Sequence, residues 1–193
     1  MANIARLRDF VADMTRLVER HGADEPALLD SGEKLLHKLV TQDDWLPDEF
    51  AAPSAEGYRQ YLLYCDPLKR FSVVSFVWMA GHRTPIHDHT VWGLVGVMRG
   101  EERCDEYSST LDMKHSHVAK PGEVDRVSPR IGDIHVVSNA GEKTAVSIHV
   151  YGADIGTVRR HVYDPATGQP KEFVSGYHNR SVPDLRDVRN DSG

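Results

Sequence analysis

Cysteine is scarce in this chain of 193 residues: only Cys65 and Cys104 are present. Two unpatterned thiols exclude a disulfide framework and a cysteine-based zinc site, so both are expected to be free. Long apolar runs are also missing. None approaches the roughly 20 residues that span a bilayer, and the N-terminus lacks the apolar core of a secretory signal. The expectation is a cytoplasmic protein with no membrane partner. A net charge of -6 without any basic run removes nucleic acid and anionic membrane surfaces as obvious partners. Internal repeats, low-complexity tracts and signs of a second domain are absent, and the length suits one domain with a sizeable core.

What is present divides into helices first and strands after. Ile4, Leu7, Phe10, Val11, Met14, Leu17 and Val18 recur at helical spacing, which predicts an amphipathic helix ending near His21 and Gly22. A second helix is expected after Ala23, with Asp24 as its cap, Pro26 in its first turn and Leu35, Leu36 and Leu39 as its apolar face. Ser31-Gly32 is a potential break in that helix. From Tyr58 onward the pattern changes to short runs between turn residues: Tyr61 to Tyr64, Phe71 to Trp78, Gly93 to Met98, Arg103 to Tyr107 and Thr144 to Tyr151. Such spacing argues a β-sandwich or barrel. Asp164-Pro165 and Thr167-Gly168 mark the turn of a further hairpin running to Phe173 and Val174. The expected organisation is therefore one domain over 1–193: a helical segment 1–45, a β-barrel 58–177, and a polar tail 178–193 that wraps the surface or frays.

Chemistry is concentrated in Gly81-His-Arg-Thr-Pro-Ile-His87-Asp-His89-Thr-Val-Trp-Gly93, followed by Gly100. Alternate side chains on a strand share a face, so His87 and His89 can reach one metal ion while Asp88 points away. A third imidazole is available from His135, which opens a β-like run after the turn Pro129-Arg-Ile-Gly132. Together these segments resemble the two signature motifs of the cupin superfamily. Gly93 stands where the first motif carries an acid. The second motif matches at Gly132, His135 and Asn139, with its proline displaced by one residue. The resemblance implies a mainly β fold, a cupin-type jelly-roll β-barrel with the N-terminal helices packed on its outside.

Without the acid, three neutral imidazoles leave the metal site dicationic until an anion such as a thiolate binds. Ser147-Ile-His149-Val-Tyr151 adds three polar side chains alternating on one strand face, able to form a hydrogen-bonded row. With these residues the resemblance narrows to the thiol dioxygenases, the family of cysteine dioxygenase and 3-mercaptopropionate dioxygenase, over roughly Tyr58 to Tyr177. It implies that His87, His89 and His135 bind Fe(II) and that Ser147, His149 and Tyr151 lie beside it. It also implies that a small thiol and O₂ are the reactants, with a sulfinate as product and no organic cofactor. Imidazoles also accept Zn, Ni, Cu and Mn, so the choice of iron rests on the resemblance.

Substrate choice in that family turns on the segment here written Tyr58-Arg59-Gln60. Animal cysteine dioxygenases place there an arginine that clamps the substrate carboxylate, and the neutral amide of Gln60 cannot replace its charge. The glutamine form is similar to 3-mercaptopropionate dioxygenases, in which a later arginine, best matched by Arg160, assists the carboxylate. Arg159 competes for that role. Gly93-Leu94 occupies the region of the cysteine that animal enzymes cross-link to the active-site tyrosine, so Tyr151 is expected to be unmodified.

Blander readings stand beside these. A second pair, His115 and His117, lies in a polar stretch that reads as a solvated hairpin. Ser147 and Tyr151 would equally satisfy buried polar groups, and Arg160 would equally form a surface ion pair. Alternative functions on the same fold are a cysteine or mercaptosuccinate dioxygenase and, more distantly, a non-catalytic metal-binding cupin.

Overall fold

The computed structural model describes residues 2–186. Two helices come first, α1 (Ala5–His21) and α2 (Glu25–Val40), then eleven strands. The strands are β1 (Arg59–Cys65), β2 (Ser72–Trp78), β3 (Ile86–His87), β4 (Gly93–Arg99), β5 (Glu102–Tyr107), β6 (Met113–Ala119), β7 (Val124–Val127), β8 (His135–Asn139), β9 (Ala145–Tyr151), β10 (Arg160–Tyr163) and β11 (Pro170–Phe173). They form two sheets, ordered β1-β2-β9-β4-β7 and β11-β10-β3-β8-β5-β6. Antiparallel pairing within each sheet, and a chain that passes back and forth between them, give the cupin-type jelly-roll barrel. The expected fold class is the one observed.

Both helices lie outside the five-stranded sheet. Asp24 caps α2, its carboxylate accepting from the Ala27 N–H at 3.2 Å, and Pro26 occupies the first turn. The anticipated break at Ser31-Gly32 does not occur: α2 runs unbroken through it. The glycine serves packing, because a Cβ on Gly32 would lie 2.8 Å from Leu94 Cδ1, and one on Gly96 would lie 2.9 Å from Leu36 Cγ. Two missing side chains let α2 settle onto β4.

Strand β9 shows how the barrel sorts its residues. Val146, Ile148 and Val150 point outward into the core beneath the helices, while Ser147, His149 and Tyr151 point into the barrel. Every residue of β9 is buried because both its faces are covered.

The C-terminal part of the chain is better anchored than a fraying tail. The His178 N–H donates to the Gln60 carbonyl at 3.0 Å, the Gln60 N–H donates to the His178 ring Nδ1 at 3.1 Å, and Asn179 bridges to both the N–H and C=O of Leu62 at 2.8 Å. These contacts use backbone groups on the open edge of β1. Residues 187–193 of the expected tail lie outside the described residues. No described helix is long and apolar enough to cross a membrane.

Candidate metal centre and substrate cavity

His87 and His135 stand directly opposite one another in the β3–β8 ladder, and His89 follows two residues after His87. Their ligand atoms all lie within 4.8 Å of one another, and all three rings are buried. Ring centroids are 4.7 to 4.9 Å apart. Each Nδ1 is turned to a group that can accept: the Pro85 carbonyl at 3.1 Å for His87, the Asp133 carbonyl at 3.2 Å for His89, and Cys104 Sγ at 3.5 Å for His135. A proton on each Nδ1 leaves the opposite nitrogen as a lone pair, the arrangement that metal-binding histidines use. His89 Nε2 is buried without a partner. Burial depresses all three imidazoles, His87 to about 4, with mutual repulsion adding to the effect at His89 and His135. Neutral, convergent and incompletely satisfied, these rings fit a divalent metal ion.

The backbone around the site is held by two acids that do not face it. Asp133 Oδ2 accepts from the N–H groups of His89 at 3.1 Å and Thr90 at 3.0 Å. Thr90 has φ +60°, a left-handed conformation costly for a β-branched residue, and Asp133 clamps it there. Asp88 points away from the histidines and accepts from the His161 N–H, the His161 ring and the Tyr163 hydroxyl at 2.8 to 2.9 Å. It ties the first histidine segment to β10.

A cavity of about 200 Å³ adjoins the histidines, smaller than the roughly 300–1,000 Å³ of pockets for drug-sized ligands. Its wall includes Tyr58, Gln60, His87, His135, Tyr151 and Arg160. The Ser147, His149 and Tyr151 side chains form the row their spacing suggested: Ser147 Oγ lies 2.8 Å from His149 Nε2, and His149 Nδ1 lies 2.8 Å from the Tyr151 hydroxyl. Trp78 Nε1 donates to Ser147 Oγ at 3.3 Å. Tyr151 stacks on His89 with ring centroids 5.3 Å apart. Burial holds His149 near 3 and drives the Tyr151 phenol well above its ordinary value.

Arg160, 5% exposed, points into the same cavity. Its Nη2 donates to Ser175 Oγ at 2.7 Å and its guanidinium lies 4.7 Å from the centroid of the Phe173 ring. Its Nε is buried without a hydrogen-bond partner, and among the described residues no carboxylate forms an ion pair with it. Arg159, the competing residue, has a side chain 80% exposed, 3.7 Å from Glu172. Gln60 donates from its amide to the Gly176 carbonyl. Tyr58 lies against Trp78 with ring centroids 4.8 Å apart.

Four features escaped the sequence reading. Trp78, Asp133 and Glu102 carry no local pattern that marks them, and while the second histidine pair lies on a hairpin with His115 exposed as expected, His117 is drawn inward. His117 is half-buried, contacts Asp125 Oδ2 at 2.8 Å, and places its ring within 4.8 Å of the ligand atoms of Cys104 and Glu106. The β5–β6 register, Cys104 opposite His117, brings these together; the i, i+2 spacing of Cys104 and Glu106 was the available signal.

A cupin-type barrel carrying three convergent histidines is the class that fold and site define. No protein-family profile matches the chain. By sequence it is similar to cysteine dioxygenase type 1 of Bos taurus, 24% identical, and of Homo sapiens, 25% identical, each over 119 residues. Both alignments cover 58% of this chain and 58% of the relative, so the chain spans little more than half the length of the curated relatives it matches. Among solved structures it is similar to a double-stranded β-helix protein from Klebsiella pneumoniae, with a TM-score of 0.48 and 16% identity over 68% of this chain and 97% of the other. An oxalate oxidase bound to glycolate has a TM-score of 0.44 and 20% identity over 52% and 53%.

Proposed function

We propose that this chain is a single-domain, cytoplasmic, mononuclear non-haem Fe(II) thiol dioxygenase that converts 3-mercaptopropionate and O₂ to the corresponding sulfinate. The observation that carries the reading is Arg160: a buried guanidinium without a counter-ion among the described residues, in the same small cavity as His87, His135 and Tyr151. A buried charge left unpaired is costly, and an anionic ligand offsets that cost. The similarity to cysteine dioxygenases supports thiol chemistry at the other end of the cavity.

His87, His89 and His135 would hold the metal through the nitrogens left free by their Nδ1 contacts. When bound, Fe(II) supplies a docking point for a thiolate and redox chemistry toward O₂. Arg160 holds the substrate carboxylate through charge-assisted hydrogen bonds and so fixes where the sulfur lies. Tyr58 and Gln60 narrow the same end. Tyr151 presents its hydroxyl to the reacting atoms, aligned through His149 and Ser147. Trp78 and Phe76 form part of an apolar wall that limits water. In the net reaction the O–O bond breaks, two S–O bonds form, and sulfur supplies the four electrons that O₂ accepts; no outside reductant is required.

Among the described residues no Asp or Glu lines this cavity, so the ammonium of L-cysteine has no anionic partner there. L-cysteine remains the second reading because of the named relatives. The test is anaerobic loading of the protein with Fe(II), then O₂ uptake and product analysis with 3-mercaptopropionate, L-cysteine, mercaptosuccinate and cysteamine. Sulfinate formation with highest kcat/KM for 3-mercaptopropionate is expected. A preference for L-cysteine moves the assignment to the second reading, and no O₂ uptake with any thiol leaves a non-catalytic metal-binding cupin.

A further inference from the structure

Glu102 is fully enclosed in the barrel, and neither carboxyl oxygen has a hydrogen-bond partner of normal geometry. An ionised carboxylate so placed would be costly. The polar side chains it faces are the Ser147 hydroxyl and the Trp78 indole, the far end of the row that leads through His149 to Tyr151. Ionisable neighbours on the surrounding strands are Asp125 on β7, Cys104 on β5, His117 on β6, which pairs with Asp125, and His135 on β8. None offers a fixed positive charge, and Glu102 makes no hydrogen bond to His87, His89 or His135.

The row can point in either of two directions. Trp78 is a donor only, so Ser147 Oγ accepts from it. If the Ser147 hydrogen goes to His149 Nε2, the single proton of the neutral imidazole sits on Nδ1 and is donated to the Tyr151 oxygen. The Tyr151 hydrogen is then free to face the cavity. If the Ser147 hydrogen goes to a carboxylate instead, His149 donates from Nε2, its Nδ1 accepts the Tyr151 hydrogen, and the cavity sees only phenolic lone pairs. A neutral carboxylic acid, able to donate to Ser147, favours the first arrangement; an ionised one, able only to accept, favours the second.

We propose that Glu102 is a positioning residue: as a neutral acid it sets the direction of the Ser147, His149 and Tyr151 hydrogen bonds so that Tyr151 donates into the cavity. Burial, together with repulsion from Asp125, pushes the Glu102 carboxyl up to about 8, which keeps it neutral at pH 7. The catalytic importance of that direction rests on the function proposed above; the direction itself does not.

The experiment follows the His149 tautomer by ¹⁵N NMR in the full-length protein, metal-free and loaded with diamagnetic Zn(II). Infrared spectroscopy records the carbonyl band of a protonated carboxyl alongside, from about pH 6.5 to about pH 9.5. The expected result is the Nδ1–H tautomer with the acid band present near neutrality, and the Nε2–H tautomer once the band is lost. Glu102→Gln, which cannot ionise yet can still donate, should keep Nδ1–H throughout. In the Fe(II)-loaded protein kcat should fall as pH rises through about 8; Glu102→Leu should lower kcat about tenfold with KM within about twofold, and Glu102→Gln should restore most of it and remove that alkaline fall. Absence of the acid band near pH 7, or a His149 tautomer that ignores its loss, would overturn the proposal. Both readouts use the unmutated protein, so they decide even if a variant fails to fold. They also hold without turnover, which separates failure of this inference from failure of the dioxygenase reading.

Discussion

Gly93 lies directly opposite Tyr151 in the β4–β9 ladder, and a Cβ at Gly93 would come within 2.9 Å of the Tyr151 ring and of Val127 Cγ2. The position at which related motifs carry an acid is here the floor beneath the phenol. A side chain at 93 and the present placement of Tyr151 are mutually exclusive. Gly93→Ala should therefore displace Tyr151 while leaving the three histidines in place. The expected outcome is unchanged metal content, a stability loss of about 1–3 kcal/mol from overpacking, and lower turnover, checked by metal analysis, denaturant titration and O₂ uptake on one preparation.

The ligand set makes a separate claim. His87→Ala, His89→Ala and His135→Ala should each abolish stable Fe(II) occupancy, because two imidazoles hold a labile divalent ion poorly. Metal content after desalting measures this directly. Full occupancy in any one variant would remove that histidine from the set.

Tyr151→Phe deletes one hydroxyl and keeps the ring that stacks on His89. Iron should remain while kcat falls tenfold to about a thousandfold, the range of about 1–4 kcal/mol for a transition-state hydrogen bond. Unchanged kcat at saturating thiol and O₂ would show that the row serves structure only.

Arg160→Ala tests the carboxylate. It should weaken use of 3-mercaptopropionate far more than that of cysteamine, which has no carboxylate, with a difference of about 2–5 kcal/mol if the pair is desolvated. Equal losses in kcat/KM for the two thiols would assign Arg160 to packing over Phe173.

Acid should destabilise the metal-free protein in a defined window. The folded-state values of His87 and His149 lie near 4 and near 3, below that of an unfolded imidazole at about 6.5. The unfolded chain then binds more protons below pH 6.5, so this stability is present above 6.5 and is lost as pH falls through the folded values. Glu102 acts in the opposite sense: its raised value contributes stability at low pH that is lost as pH rises toward 8. Between pH 7 and pH 5, His87 and His149 each remove about 2 kcal/mol while Glu102 returns about as much as one of them, and the depressed His89 and His135 add to the histidine side, so the four histidines outweigh the one acid. Urea midpoints at about pH 7 and about pH 5 should show a net fall, and metal should oppose it.

The sequence by itself determined the alternation that puts Ser147, His149 and Tyr151 on one face of β9, because a strand repeats every two residues. The same period and the flanking turns pointed to His87 and His89 acting together and made His135 available; the three converge, although β3 ends at His87 and His89 lies just beyond the strand. The helical period of α1 and the Asp24 cap of α2 were legible for equally local reasons. Ser31-Gly32 misled because a glycine's local meaning is a break, whereas here its use is a close approach to Leu94 on a different element.

Tertiary structure alone decided which nitrogen each histidine turns inward. The Pro85 carbonyl, the Asp133 carbonyl and Cys104 Sγ that face the Nδ1 atoms come from three different segments. It also decided that Arg160 faces the cavity while its neighbour Arg159 faces solvent, through the pairing of β10 with β3 and β11. Glu102 is the clearest case. In Gly100-Glu101-Glu102-Arg103 it reads as one more surface charge, and only closure of one sheet over the other encloses it beside Ser147 and Trp78. Burial is a property of what folds over a residue from far along the chain, and no local pattern carries it.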